Sequence, residues 1–231
     1  MKIQKGFIKG LNYIKSFFYM WTYIDLKGKR SSKDCFFVKN RNGIAKTNLD
    51  ILRALSAFFA FQSTFIMLLC LAVYRDEPYM AKIYLASAIF EVAVAIAANR
   101  MLKSKRYPAT LNFCICLYLV VLLATSVYIG GVLAGDVPTV VFPITLFLAQ
   151  IIFILPPIYT TCIAATATIV MNLVSSAYKS EYFAGVDFVN SEAALVLSVF
   201  VGWYFTMTRI KEAYARAEIE DLNVRLHSLS L

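Results

Sequence analysis

A single carboxylate, Glu91, lies near the middle of an apolar run from about Ala81 to Asn99. A charged carboxylate at the centre of a bilayer costs roughly 2.5–3.5 kcal/mol on insertion scales. The group must therefore face a bundle interior, hold a proton or meet a partner. Two chemistries are open to it: contact with a ligand or a transferred proton, or service as a protonated, hydrogen-bonded structural glutamate. At helical spacing Ser87, Ala88, Ala95 and Ala98 share its face, and small residues let helices pack closely there. Gln62, Asn112, Gln150 and Asn172 are side-chain amides inside other apolar runs. Such groups commonly hydrogen-bond between helices. If they converge with Glu91, the five line a pocket for a small-molecule or lipid ligand.

Other chemistries are poorly supplied. There is no hydrolase triad, zinc motif or nucleotide fingerprint, so neither catalytic nor metal residues are assigned. His227 is the only histidine and sits in a polar segment without a visible metal partner. Cys114 and Cys116 would point about 200° apart on a helix, which suits no shared ion. No cysteine falls in an expected external loop, so no disulfide framework is expected. Gly130, Gly131 and Gly135 read as a flexible outer loop, since no Lys-Ser/Thr signature follows to make a phosphate cradle. Tyr79, Tyr84, Tyr107, Tyr128, Tyr182, Trp203 and Tyr204 lie near the ends of apolar runs, as an interfacial aromatic belt does.

The elements that must position these groups are membrane spans. The 231-residue chain is 60% hydrophobic, with a mean hydropathy of +0.66, too apolar for an ordinary soluble domain. Six apolar segments follow Thr47-x-x-Asp50, a plausible helix start. They run from about Leu52 to Tyr74, Ala81 to Asn99, Leu111 to Leu133, Val140 to Leu155, Ile158 to Tyr178 and Glu192 to Thr208. The first, 23 residues long, would reach roughly 35 Å as a helix. Pro156-Pro157 separates the fourth from the fifth and reads as a tight turn. The expected fold is an all-α polytopic membrane protein with a six-helix transmembrane bundle over residues 51–208. An N-terminal segment, 1–50, precedes it, and a signalling helix, 209–231, follows.

Charge sets the expected orientation. Twelve of the 23 Lys and Arg fall in residues 1–53, against Asp25, Asp34 and Asp50. Arg100, Lys103, Lys105 and Arg106 make the second loop basic, while the loops near Asp76-Glu77, Asp136 and Glu181 to Glu192 carry acids. The positive-inside rule then places both termini in the cytoplasm, and the expected location is the cell's inner (plasma) membrane. Ile3, Phe7, Leu11, Ile14, Phe18 and Trp21 recur at steps of three and four, with Lys2, Lys5 and Lys9 largely on other faces. That predicts an interfacial helix on anionic lipid, with Lys2, Lys5, Lys9 and Trp21 at the membrane surface. Residues 27–47 read as a polar loop. Because the basic charge flanks spans, nucleic acid is not an expected partner.

Beyond residue 208 the charges become dense and mixed. Ala215, Ile219, Leu222, Leu226 and Leu229 follow at steps of four, three, four and three, a two-heptad coiled-coil seam. Ile210, Tyr214 and Ala217 sit on another register, a change that resembles a stutter. A seam of this kind leaving a membrane calls for a partner, so a homodimer is expected. The chain reads as the input part of a signalling protein whose output domain lies elsewhere.

The run Asn223-Val224-Arg225-Leu226-His227-Ser228-Leu229-Ser230-Leu231 resembles the signalling helix that enters a GGDEF domain in membrane-bound diguanylate cyclases. The resemblance covers roughly the last 15 residues. It implies a complete protein that makes cyclic di-GMP from two GTP molecules, with Mg²⁺, across a catalytic dimer. The GGDEF signature is absent from this chain, so no catalytic residue and no cofactor site can be placed in it. Membrane adenylyl cyclases and sensor histidine kinases use comparable connectors and give alternative outputs. A small transporter or channel is the rival class, supported by Glu91 and the break at Pro156-Pro157, although no internal repeat is visible.

Overall fold

A helix can enter hydrocarbon because every backbone group in its interior is bonded within the segment. Helices of this kind dominate the computed structural model, which describes residues 40–73, 78–105, 107 and 110–229, with backbone only at 73, 78–80, 213, 214, 216–218, 220, 221 and 224–229. All regular structure among the described residues is helical: α1 (Arg41–Val73), α2 (Pro78–Ser104), α3 (Leu111–Val127), a π-helical turn π1 (Tyr128–Leu133), α4 (Val141–Ile151), α5 (Pro157–Tyr178) and α6 (Glu181–Leu229). Among the described residues, five helical segments are long and apolar enough to cross a membrane: Arg41–Ala72, Ala81–Ser104, Leu111–Leu133, Pro157–Tyr178 and Glu181–Glu212. The chain is thus an all-α, multi-pass membrane protein.

The expected count of six full spans is not reproduced. The fourth segment is helical only over the 11 residues of α4. At 1.5 Å per residue it is about 16 Å long, half of a hydrocarbon core. Its end has a local cause. Pro156 and Pro157 lack N–H groups, and the residue before a proline is pushed out of the helical region. The chain therefore leaves α4 at Ile152 and restarts at Pro157, where proline fits a first turn.

Several other boundaries move as well. Helix α1 begins 11 residues before Leu52, so Thr47 and Asp50 lie inside it, and residues 41–47 are helix rather than loop. Asp50 pairs with Arg53 on its surface at 3.3 Å. Helix α6 begins at Glu181, so the acidic stretch read as an outer loop is helical, and the last span continues unbroken into the polar segment. Hydropathy marks where lipid would be, and polar residues extend a helix past it at little cost. The N-terminal interfacial segment, with Lys2, Lys5, Lys9 and Trp21, lies outside the described residues.

The described residues form two compact units. The first, Asn40–Ile115, is built on α1 and α2, which a four-residue link joins as neighbours. The buried face of α1 carries Leu49, Leu52, Ser56, Ala60, Ser63 and Cys70 at steps of three, four and seven. Ser63 Oγ and Ser87 Oγ of α2 are 3.2 Å apart and share a hydrogen bond. The large apolar residues lie outside: Phe61 is 73% exposed, and Phe58, Phe65 and Leu68 are exposed beside it. Small residues inside and large ones outside is the arrangement of helices whose surroundings are lipid. Helix α2 stops where Lys105 adopts a left-handed φ of 52°.

The second unit runs from Cys116 and holds most of α3 with π1, α4, α5 and α6. Gly130 and Gly131, expected as a flexible loop, are instead buried within π1. A Cβ on Gly130 would collide with the Thr139 hydroxyl, and one on Gly131 would lie 2.7 Å from Val174 of α5. The widened turn, with Ala134 N–H bonded to the Ile129 carbonyl at 3.0 Å, lets two segments press against it. After it Gly135 (φ 59°) turns the chain into the loop that leads to α4. Gly130→Ala is expected to destabilise the protein by about 1–3 kcal/mol through overpacking. Gly185→Ala, facing open space within α6, is expected to stabilise it by roughly 0.5–1 kcal/mol. Thermal unfolding in detergent measures both, and equal effects would contradict the packing described.

Candidate functional site: a buried ion pair that anchors a short helix

Helix α5 ends at Tyr178, and Lys179 continues in an extended conformation (φ −116°, ψ 159°) before α6 starts. That corner turns the lysine back into the protein. Asp187 lies six residues into α6, about 9 Å along its axis. Lys179 Nζ and Asp187 Oδ2 meet at 2.7 Å, and both side chains are 0% exposed. Each has further partners. Asp187 Oδ2 accepts the Ser175 hydroxyl at 2.7 Å, and Oδ1 accepts the backbone N–H of Thr139 at 2.8 Å. Lys179 Nζ also donates to the Val137 carbonyl at 2.7 Å. One ion pair thus ties together the end of α5, the start of α6 and the loop entering α4.

The loop has a second, exposed fastening. Asp136 Oδ1 accepts the Ser180 N–H at 2.8 Å. The Ser180 backbone N–H, then its hydroxyl, holds the Asp136 carboxyl below the usual carboxylate range, and nearby Lys179 adds to the effect.

The far end of α4 is also held by α6. Arg209 donates to the Ile151 carbonyl at 2.9 Å, one of the acceptors left open at a helix C-terminus. Between the two ends Gly202 packs on Gln150, where a Cβ would come within 2.9 Å of the Gln150 Cβ. Gln150 Oε1 accepts the Thr160 hydroxyl at 2.7 Å, while its buried Nε2 has no hydrogen-bond partner. Thr139 therefore lies beside Asp187 and Gln150 beside Gly202, so α4 runs parallel to α6. An acid stands near its N-terminus and a base at its C-terminus, the signs its dipole favours.

Within the second unit, the expected ligand residues Gln150 and Asn172 are engaged at separate places. Gln62 and Asn112 are exposed. Asn172 is half-buried and occupied on α6: its Nδ2 donates to Glu192 Oε1 at 3.0 Å, and its Oδ1 accepts the Ser191 hydroxyl at 2.7 Å. Gln150 engages Thr160, twelve residues or about 18 Å down α5 from Asn172. Glu91 is 5% exposed, buried along with Ala88 and Ala98, and is not left without a partner. Of the seam, Ala215, Ile219 and Leu222 are exposed, while the side chains of Leu226 and Leu229 lie outside the described residues.

Sequence reading missed Lys179 and Asp187 because both sit in the stretch assigned to an outer loop. The available signal was a lysine directly after an apolar run and an aspartate eight residues on. Compared with known proteins, the chain matches no family model, no curated protein and no solved structure.

Removing one partner of a buried ion pair strands the other charge and costs about 3–5 kcal/mol. Lys179→Met and Asp187→Asn are each expected to unfold at much lower temperature. The double variant Lys179→Met/Asp187→Asn should lie closer to the parent than either, because an amide oxygen still accepts the Thr139 N–H. A double variant as unstable as the sum of its parts would refute the coupling. A lowered carboxyl stabilises the fold above the usual carboxylate range and loses that contribution as pH falls through its folded value. Protection of the Ser180 amide hydrogen, its exchange rate measured against the unstructured rate at the same pH, should therefore fall as pH drops below the usual carboxylate range, and Asp136→Asn should abolish that pH dependence.

Proposed function

We propose that this chain is a membrane input module that passes the state of its spans through α6 to a cytoplasmic output domain. The observation that carries the reading is the continuity of α6. Its 49 residues make a rod of about 74 Å, more than twice a hydrocarbon core. One end holds Asp187 in the buried network. The other carries Ile219 and Leu222, which are 56% and 52% exposed. Exposed apolar residues at heptad spacing on a charged helix favour a second helix as partner, so the reading includes a homodimer with a coiled-coil connector. The charge asymmetry supports both termini in the cytoplasm, the resemblance to membrane-bound diguanylate cyclases favours a bacterial inner membrane, and α4 with residues 152–156 then makes a sixth, partly non-helical crossing.

The Leu-Ser-Leu run favours a GGDEF output, with GTP and Mg²⁺ bound by that domain. A small transporter or channel is the second reading, because a short helix followed by non-helical chain is a transporter device. Solute flux in liposomes that depends on Glu91 would favour it.

Single cysteines at Ala215, Ile219 and Leu222, in a chain cleared of its native cysteines, are expected to cross-link between copies in membranes. One at Asn223, on another face, should not. Absence of cross-linking at all three seam positions would overturn the pairing. Expression of the complete gene product should raise cyclic di-GMP. Cyclic AMP or phosphotransfer in its place would assign the output to an adenylyl cyclase or a histidine kinase.

A further inference from the structure

Helices α3 and α5 part to leave an apolar cavity of about 320 Å³. Val120 and Ala124 of α3 face Cys162, Thr166, Ala167 and Val170 of α5 across it. The Thr166 hydroxyl donates to the Cys162 carbonyl of its own helix at 2.9 Å, so its proton is already used. The remaining polar group, the Cys162 thiol, is a weak donor. Nothing in the walls can orient a polar or charged ligand, which ordinarily needs a few placed donors and acceptors. Both walls belong to segments long and apolar enough to cross a membrane. Leu117, Ile169 and Leu173 beside the cavity are exposed, as lipid-facing residues are. The opening therefore meets hydrocarbon.

The lining narrows the occupant. An unbranched hydrocarbon chain from the surrounding bilayer needs no donor or acceptor and can enter from the lipid side. We propose that this groove holds one acyl chain of a bilayer phospholipid. In naming the chemistry of a membrane input, the proposal rests on the input-module reading above.

The groove is connected to α6 by contacts already described. Val127 and Val170 close it next to π1. One helical turn beyond Val170, Val174 presses on Gly131; Gly130 presses on Thr139; and Asp187 of α6 holds the Thr139 N–H. A chain that sets the spacing of α3 and α5 acts on α6 through these three contacts.

The test uses the full chain in phosphatidylcholine–phosphatidylglycerol vesicles carrying a trace of phosphatidylcholine with a diazirine on one acyl chain. After photolysis, label is mapped by peptide mass spectrometry. Peptides covering 120–127 and 162–170 are expected to carry about tenfold more label than the lipid-facing surface around Phe58 to Phe65. Ala167→Trp and Ala124→Phe fill the groove from opposite walls. In each variant that keeps parental label on the Phe58–Phe65 surface, groove label should fall to the level of that surface. Even labelling of all lipid-facing peptides would overturn the site. So would undiminished label in the filled variants, or cross-links to a second copy in place of lipid. A disulfide yield at a cysteine replacing Leu222 that shifts on filling supports coupling to α6, and an unmoved yield overturns it. The label reports the site whether or not α6 pairs, so failure of the site and failure of the input-module reading are separate results.

Discussion

Backbone at membrane depth must find its hydrogen bonds inside the protein, because lipid offers none. Most of the described chain meets that condition simply by being helical. The main exception among the described residues is the segment from Gly135 to Pro156, where an 11-residue helix is flanked by irregular chain on both sides. Its entry is secured by Asp187 and Lys179 and its exit by Arg209, all three outside the segment itself. A charge is costly in such surroundings, and so is an unbonded carbonyl; placing them together resolves both. The path of α4 beside α6 follows from that pairing.

The packing elsewhere obeys the same medium. Burial of large side chains brings little advantage when the outside is as apolar as the inside, so close approach decides. Serines and alanines line the contact of α1 with α2, and glycines mark the tightest points of the second unit. Gly131 lies against Val174, and Gly202 lies against Gln150. Hydroxyl groups along these helices mostly bond a carbonyl in the preceding turn, as Ser56, Thr64, Thr145 and Thr168 do. Polar residues are thereby admitted to spans without a partner helix.

The helical class and the five long spans were legible in the sequence, because runs of twenty apolar residues have few alternatives. The shortness of α4 was only half legible. The proline pair showed that a helix must stop, but not that it stops four residues earlier at Ile151. The ion pair was the hardest part to read. Lys179 and Asp187 are close in sequence, yet their partners Thr139 and Val137 lie more than forty residues away. The rule that acids between spans mark a loop counted Asp187 with the solvent. Glu91 stood out because it interrupts an apolar run, whereas Asp187 lies in a stretch already full of polar residues. Gln150 and Asn172 drew attention as members of one set, but Thr160 engages the first and Ser191 and Glu192 the second, and spacing along a chain carries no record of that.

The unbroken course of α6 has a geometric consequence. Between Asp187 and Ile219 the helix contains no proline, and every residue adds about 100° of rotation and 1.5 Å of rise. The direction in which Ile219 and Leu222 face is therefore a fixed angle from the direction of the buried carboxylate. A one-residue insertion in that interval would turn the seam by more than a quarter circle. Seven residues would return it to within about 20° while lifting it by roughly 10 Å. Chain length between these two points therefore sets phase as well as distance.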